Sequence, residues 1–98
     1  MAARQVSVET AEKERVKTFI CPDIVFSRRL LHVVKTETEI SIPLDGAAKN
    51  ILAAIMALPA VYEVHVVDHA LTIRLYRGKY WDVDIAEAEV VRIIAETD

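Results

Sequence analysis

Residues 62–76 constrain this chain more than any other stretch. Residues 62–67 and 70–76 alternate apolar with polar side chains on either side of Asp68-His69. Alternation at period two marks a strand with one buried face, and Asp tolerates the positive φ of a tight turn. Folding about that turn sets Val66 against Leu71 and Val64 against Ile73 on the buried side. Glu63 then lies opposite Arg74 on the exposed side, a favourable cross-strand pair. A slip of one residue would send both valines into water, so two independent features fix one register.

A lone hairpin cannot bury its apolar face, and the flanking segments supply the cover. Ala48, Ile51, Leu52 and Ile55 make an i, i+3, i+4, i+7 stripe, which predicts a helix over residues 47–58. Asp45 is placed to cap its first turn, and Pro59 stops it. A second helix follows Trp81, with Asp82 or Asp84 as its cap and Asp84 and Glu87 at capping-box spacing. Ala86, Val90, Ile93 and Ile94 form its inner stripe, while Glu87, Glu89, Arg92 and Glu96 form its wet face. Upstream, residues 18–20 read as a strand ended by Cys21-Pro22-Asp23, since Pro22 cannot donate to a ladder. Residues 29–35 and 38–43 read as two more strands joined around Thr36-Glu37. Residues 1–17 read as a flexible or short helical segment: 1–5 are frayed, and Glu9 and Lys13 stand at the helical i, i+4 spacing. The expected fold is α+β, a two-layer, largely antiparallel sheet with helices on one face, in the order (α)βββαββα. Residues 18–98 form its single domain.

Composition narrows the function. Of 98 residues, 53% are hydrophobic and 28% charged, which excludes a disordered or low-complexity chain. The net charge of −3 disfavours phosphate-dominated nucleic-acid binding. No signal-peptide pattern and no bilayer-length apolar run is visible, so the expectation is a soluble cytoplasmic domain without membrane contact.

Few residues carry chemistry. Cys21 is the one thiol, which excludes a disulfide framework or an all-cysteine cage within one chain. It reads as a buried residue closing a strand, with thiolate ligation as the alternative. His65 and His69 are four apart, but on a hairpin their rings need not converge. With Asp68 or Glu63 they are nevertheless the donors for a hard or borderline metal, and His65, His69 and Cys21 are the candidate metal residues. His32 lies in an apolar strand without an adjacent nucleophile and reads as an edge or core histidine. Arg28, Arg29, Arg74, Arg77 and Lys79 near Tyr76, Tyr80 and Trp81 have the composition of a single-strand stacking surface. The competing reading has a solvated loop, with Trp81 packing the last helix on the sheet. Gly46 and Gly78 are isolated, so no phosphate loop or nucleophile elbow exists, and the chain reads as a non-enzyme.

The second half carries a recognisable pattern. Ile55-Met56, Leu58, Ala60-Val61 and Val64 are followed by Leu71-Thr72-Ile73, a polar loop over 76–80, and Trp81-Asp82. From about Ala48 onward this resembles the N-terminal domain of Nfu/NifU-like iron–sulfur scaffold proteins. In that family the corresponding positions hold an apolar helix, a Gly-Val step into a strand, an Ile-Thr-Val strand and a Trp that opens the final helix. Ala60 stands where the family has Gly. Upstream, Thr18-Phe19-Ile20, Pro22-Asp23 and residues 30–34 correspond to the family's opening strands, without its Asn-Pro and Lys-Phe pairs. The resemblance implies an accessory module of iron–sulfur cluster assembly, with assembly or carrier proteins as partners and a structural role for Trp81. The family's cluster-binding Cys-x-x-Cys belongs to a separate domain, and these 98 residues contain none. No cofactor is therefore expected in the isolated chain beyond weakly associated iron. The alternative is a generic protein-interaction domain unrelated to iron.

Overall fold

The computed structural model describes residues 3–10, 15–35, 44 and 46–98. Its elements run β1 (Ser7–Thr10), β2 (Val16–Ile20), β3 (Ser27–Val34), α1 (Gly46–Met56), β4 (Val61–Asp68), β5 (Ala70–Leu75) and α2 (Glu87–Glu96). The strands form one antiparallel sheet in the order β1-β2-β5-β4-β3, and the architecture is α+β, as the residue patterns predict.

The β4–β5 hairpin has the expected register, with Val66 opposite Leu71, Val64 opposite Ile73 and Glu63 opposite Arg74. Asp68 takes a φ of 51° at the turn. Its carbonyl also accepts the Phe26 amide at 2.7 Å, which ties the entry to β3 onto the same turn.

Phe19, Val64, Val66, Leu71 and Ile73 project from one sheet face into a single core. There they meet Ile51, Leu52 and Ile55 of α1 and Val90 and Ile94 of α2. Both helices therefore lie on that face. Each such side chain contributes about 1.5–3 kcal/mol when fully buried. The opposite face carries Thr18, Thr72, His65, Glu63 and Arg74, and no helix among the described residues covers it.

The N-terminal segment departs from expectation. Ser7–Thr10 is a strand rather than helix or loose chain, pairing with β2 from Ser7 opposite Ile20 to Thr10 opposite Lys17. Extended backbone lets Val8 reach the core while Ser7 and Glu9 face water, which a helix could not do over so few residues. Nor is Arg4 frayed. Its amide donates to the Ala95 carbonyl at 3.1 Å, and its guanidinium donates to the carbonyls of Ile94 at 3.1 Å and Thr97 at 2.7 Å. The last turn of α2 has no basic residue of its own, so Arg4 supplies the cation that its exposed carbonyls favour. The predicted strand over 38–43, its Thr36-Glu37 connection and the Asp45 cap lie outside the described residues.

The approach to α2 also differs in detail. The residue at the cap is Ala86, which is exposed and supplies no side-chain bond. Asp82 instead accepts the Glu87 amide at 3.2 Å, and Asp84 turns back to accept the Tyr80 amide at 2.8 Å. Glu87, read from sequence as wet, pairs with Lys17 at 2.5 Å. That cation belongs to the core face of β2 and needs the partner because it is buried.

Candidate functional site

The register aligns Glu9, Thr18, Thr72, His65 and His32 in one row across the open face of the sheet. Thr18 and Thr72 are joined through their hydroxyls at 2.9 Å. His32 and His65, on the neighbouring strands β3 and β4, stack with ring centroids 4.1 Å apart and planes 14° from parallel. Glu63 lies two residues before His65 on the same face.

Three cationic or donor groups surround the Glu63 carboxylate. His32 Nε2 donates to Oε2 at 2.7 Å. Arg74 Nη1 lies 3.3 Å from Oε1, and His65 Nε2 lies 3.9 Å from the same oxygen. These neighbours leave the Glu63 side chain only 11% exposed, although it sits on the face read from sequence as wet. The pairing with Arg74 holds, but Glu63 is buried beneath its partners. His32 and His65 themselves stay open to solvent, at 44% and 40% exposure.

Burial by itself would raise the Glu63 pKa. The His32 hydrogen bond and the charges of Arg74, His32 and His65 outweigh it and hold the carboxyl below its usual range. His65 is held below the usual imidazole value by burial first and by the charge of His32 second, against the opposing pull of Glu63. An ionised carboxylate thus faces an imidazole biased toward its neutral, lone-pair form.

His32, Glu63 and His65 each offer a ligand atom, all within 4.8 Å of one another. Among the described residues this is the one set of three His, Cys, Asp or Glu side chains that converges in this way. Of the candidate metal residues His65, His69 and Cys21 only His65 belongs to it, together with Glu63, one of the two carboxylates offered beside them. His69 sits in the turn, where its Nδ1 is hydrogen-bonded to the Ile24 carbonyl at 2.8 Å. Cys21 is fully buried in the core, with its amide bonded to the His69 carbonyl at 2.9 Å. The structure brings neither into contact with the group around Glu63. His32 is the residue that sequence reasoning passed over as a ligand, having read it as an edge or core histidine. The available signal was strand parity, which puts His32 on one face of β3 and Glu63 with His65 on one face of β4.

Trp81 has the predicted structural place, 8% exposed with its ring 5.7 Å from Phe19 and beneath the Lys17 ammonium. The basic residues do not form one patch. Arg28 and Arg29 follow Ser27, which pairs with Asp68 at the turn end of the hairpin, while Arg77 and Lys79 follow β5 at its other end. The length of β5 separates the two sets, roughly 20 Å.

A cluster requires several thiolates or converging imidazoles, and Cys21 is both single and wholly buried. The residues present do not suit an iron–sulfur cluster, whereas two imidazoles and a carboxylate suit a single borderline ion. No helix of the described residues is long and apolar enough to cross a membrane. Comparison with known proteins gives no match: no family model, curated protein or solved structure is significantly similar to this chain.

Proposed function

We propose that this domain is a non-enzymatic, cytoplasmic accessory module of iron–sulfur cluster assembly that works by contact with carrier, assembly or recipient proteins. The observation that carries the reading is the αββα order over residues 46–96, with a buried Trp in the connection that leads to the last helix. It supports the resemblance at three places. Ile55-Met56 closes α1, Ala60-Val61 opens β4, and Leu71-Thr72-Ile73 lies within β5. The division of the basic residues between two ends of the sheet favours protein over nucleic acid as the partner.

The direct test is affinity capture of the tagged chain from anaerobic cell extract, with cross-linking and mass spectrometry. Proteins bearing Cys-x-x-Cys cluster domains are the expected partners. Reproducible recovery of unrelated proteins alone would leave the second reading, a generic interaction domain. That reading draws on the uncovered sheet face and on the exposed apolar side chains of Val25 and Leu30 beside it.

A further inference from the structure

The group around Glu63 holds more than the stability of a buried carboxylate requires. His32 at 2.7 Å and Arg74 at 3.3 Å already satisfy both of its oxygens. His65 adds a second imidazole whose Nε2 is aimed at the same carboxylate from 3.9 Å, too far for a hydrogen bond. Two stacked imidazoles beside one carboxylate, each ring partly open to water, have the donor composition of a cation site.

We propose that His32, Glu63 and His65 form a mononuclear site for a borderline divalent first-row ion, of which Fe²⁺ and Zn²⁺ are examples. Bonds of about 2.1 Å put tetrahedral ligands about 3.4 Å apart. The 2.7 Å contact to Oε2 must lengthen by about 0.7 Å and the 3.9 Å contact to Oε1 shorten by about 0.5 Å. The stacked rings must also splay so that both in-plane lone pairs meet one ion, motions open to exposed side chains. On binding, the His32 Nε2 hydrogen moves to Nδ1, so the ring changes tautomer and donates its lone pair to the metal. Arg74, half exposed, swings off Oε1 into water, and the ion takes over its charge at the buried carboxylate. Water completes the shell from the open side, so the ion exchanges. All-oxygen ions such as Mg²⁺ and Ca²⁺ are poorly matched to two imidazoles.

The proposal rests on side-chain geometry and is independent of which proteins the domain contacts. The test is titration of the full chain with Co²⁺ followed by ligand-field absorption, with Zn²⁺ titration calorimetry in parallel. One ion per chain is expected, with affinity reduced at least about tenfold by His32→Ala, His65→Ala or Glu63→Gln. His69→Ala and Cys21→Ser leave it unchanged. Glu63→Gln perturbs a buried pair, so circular dichroism checks its fold, and His32→Ala, at an exposed ring, decides the matter if it unfolds. Unchanged affinity in His32→Ala, an equal loss in His69→Ala, or no saturation at millimolar ion would overturn the site.

Discussion

Trp81 offers the sharpest test of how the C-terminal layer is held. Its ring is 8% exposed, 5.7 Å from Phe19, and lies under the Lys17 ammonium at 5.4 Å. Removing a buried Trp ring costs about 3–5 kcal/mol, through lost transfer energy and the cavity left behind. A domain of this size holds about 5–15 kcal/mol in all, so Trp81→Ala takes roughly a fifth or more of it. Each kcal/mol corresponds to about 4–8 °C in Tm for such a domain, which predicts a fall of roughly 12–40 °C. Trp81→Phe separates two contributions. Among the described residues the buried Nε1 has no hydrogen-bond partner, and such a donor costs about 1–3 kcal/mol. Phe removes that penalty while keeping half of the ring system, so it costs clearly less than Ala, by about 2 kcal/mol or more. Urea titration at fixed pH, with constant slope checked, measures both. A loss below 1 kcal/mol for Trp81→Ala, or equal losses for Phe and Ala, refutes the reasoning.

Three further outcomes are expected. Arg4→Ala lowers stability by about 0.5–1.5 kcal/mol, read in a urea titration, and speeds amide exchange in the last turn of α2, because two carbonyls lose their donor. Asp68→Val costs about 1–2 kcal/mol at a φ of 51°, whereas Asp68→Gly is neutral or stabilising in thermal denaturation. Both shifted groups at the site have folded values below their unfolded ones, so the folded state binds fewer protons and acid destabilises it. For His65 that loss begins as pH falls below about 6.5, and for Glu63 below about 4.5, each continuing through the lower folded value. His65→Gln should abolish the upper limb and keep the lower one in stability measured from pH 8 to 3.

The elements with strong periodicity were legible. The hairpin could be read to the residue because alternation and turn chemistry agreed, and α1 and α2 because their apolar stripes fit the helical period. β1 was not, although Val6 and Val8 alternate with Ser7 and Glu9. A strand of four residues is too short for alternation to outweigh the helical spacing of Glu9 and Lys13, and only pairing with β2 stabilises it. The site was half legible. His65 and Glu63 share a strand, but His32 reaches them through the β3–β4 register, fixed after a shift between Ser27 and Leu31 that no local pattern announces. The burial of Glu63 follows from that same cross-strand cover. The Arg4 contact spans 90 positions and lies beyond any local reading.

That last contact bears on the order in which the molecule assembles. β4 and β5 are separated by a single turn and pair on the microsecond scale of an isolated hairpin. β2 has no such local partner besides β1, since its other neighbour is β5, with Val16 opposite Arg74. Closing a loop of that length is entropically expensive and is repaid only when the whole edge zips. Arg4 waits still longer, because its acceptors exist only once α2 has formed. The β1–β2 hairpin thus precedes β4, β5 and α2 in the chain yet is the last to be placed, and its apolar face stays open meanwhile. High sequence separation of this kind moves folding from microseconds toward milliseconds. During that interval the free edge of β5 is the surface on which a second nascent chain would dock in error.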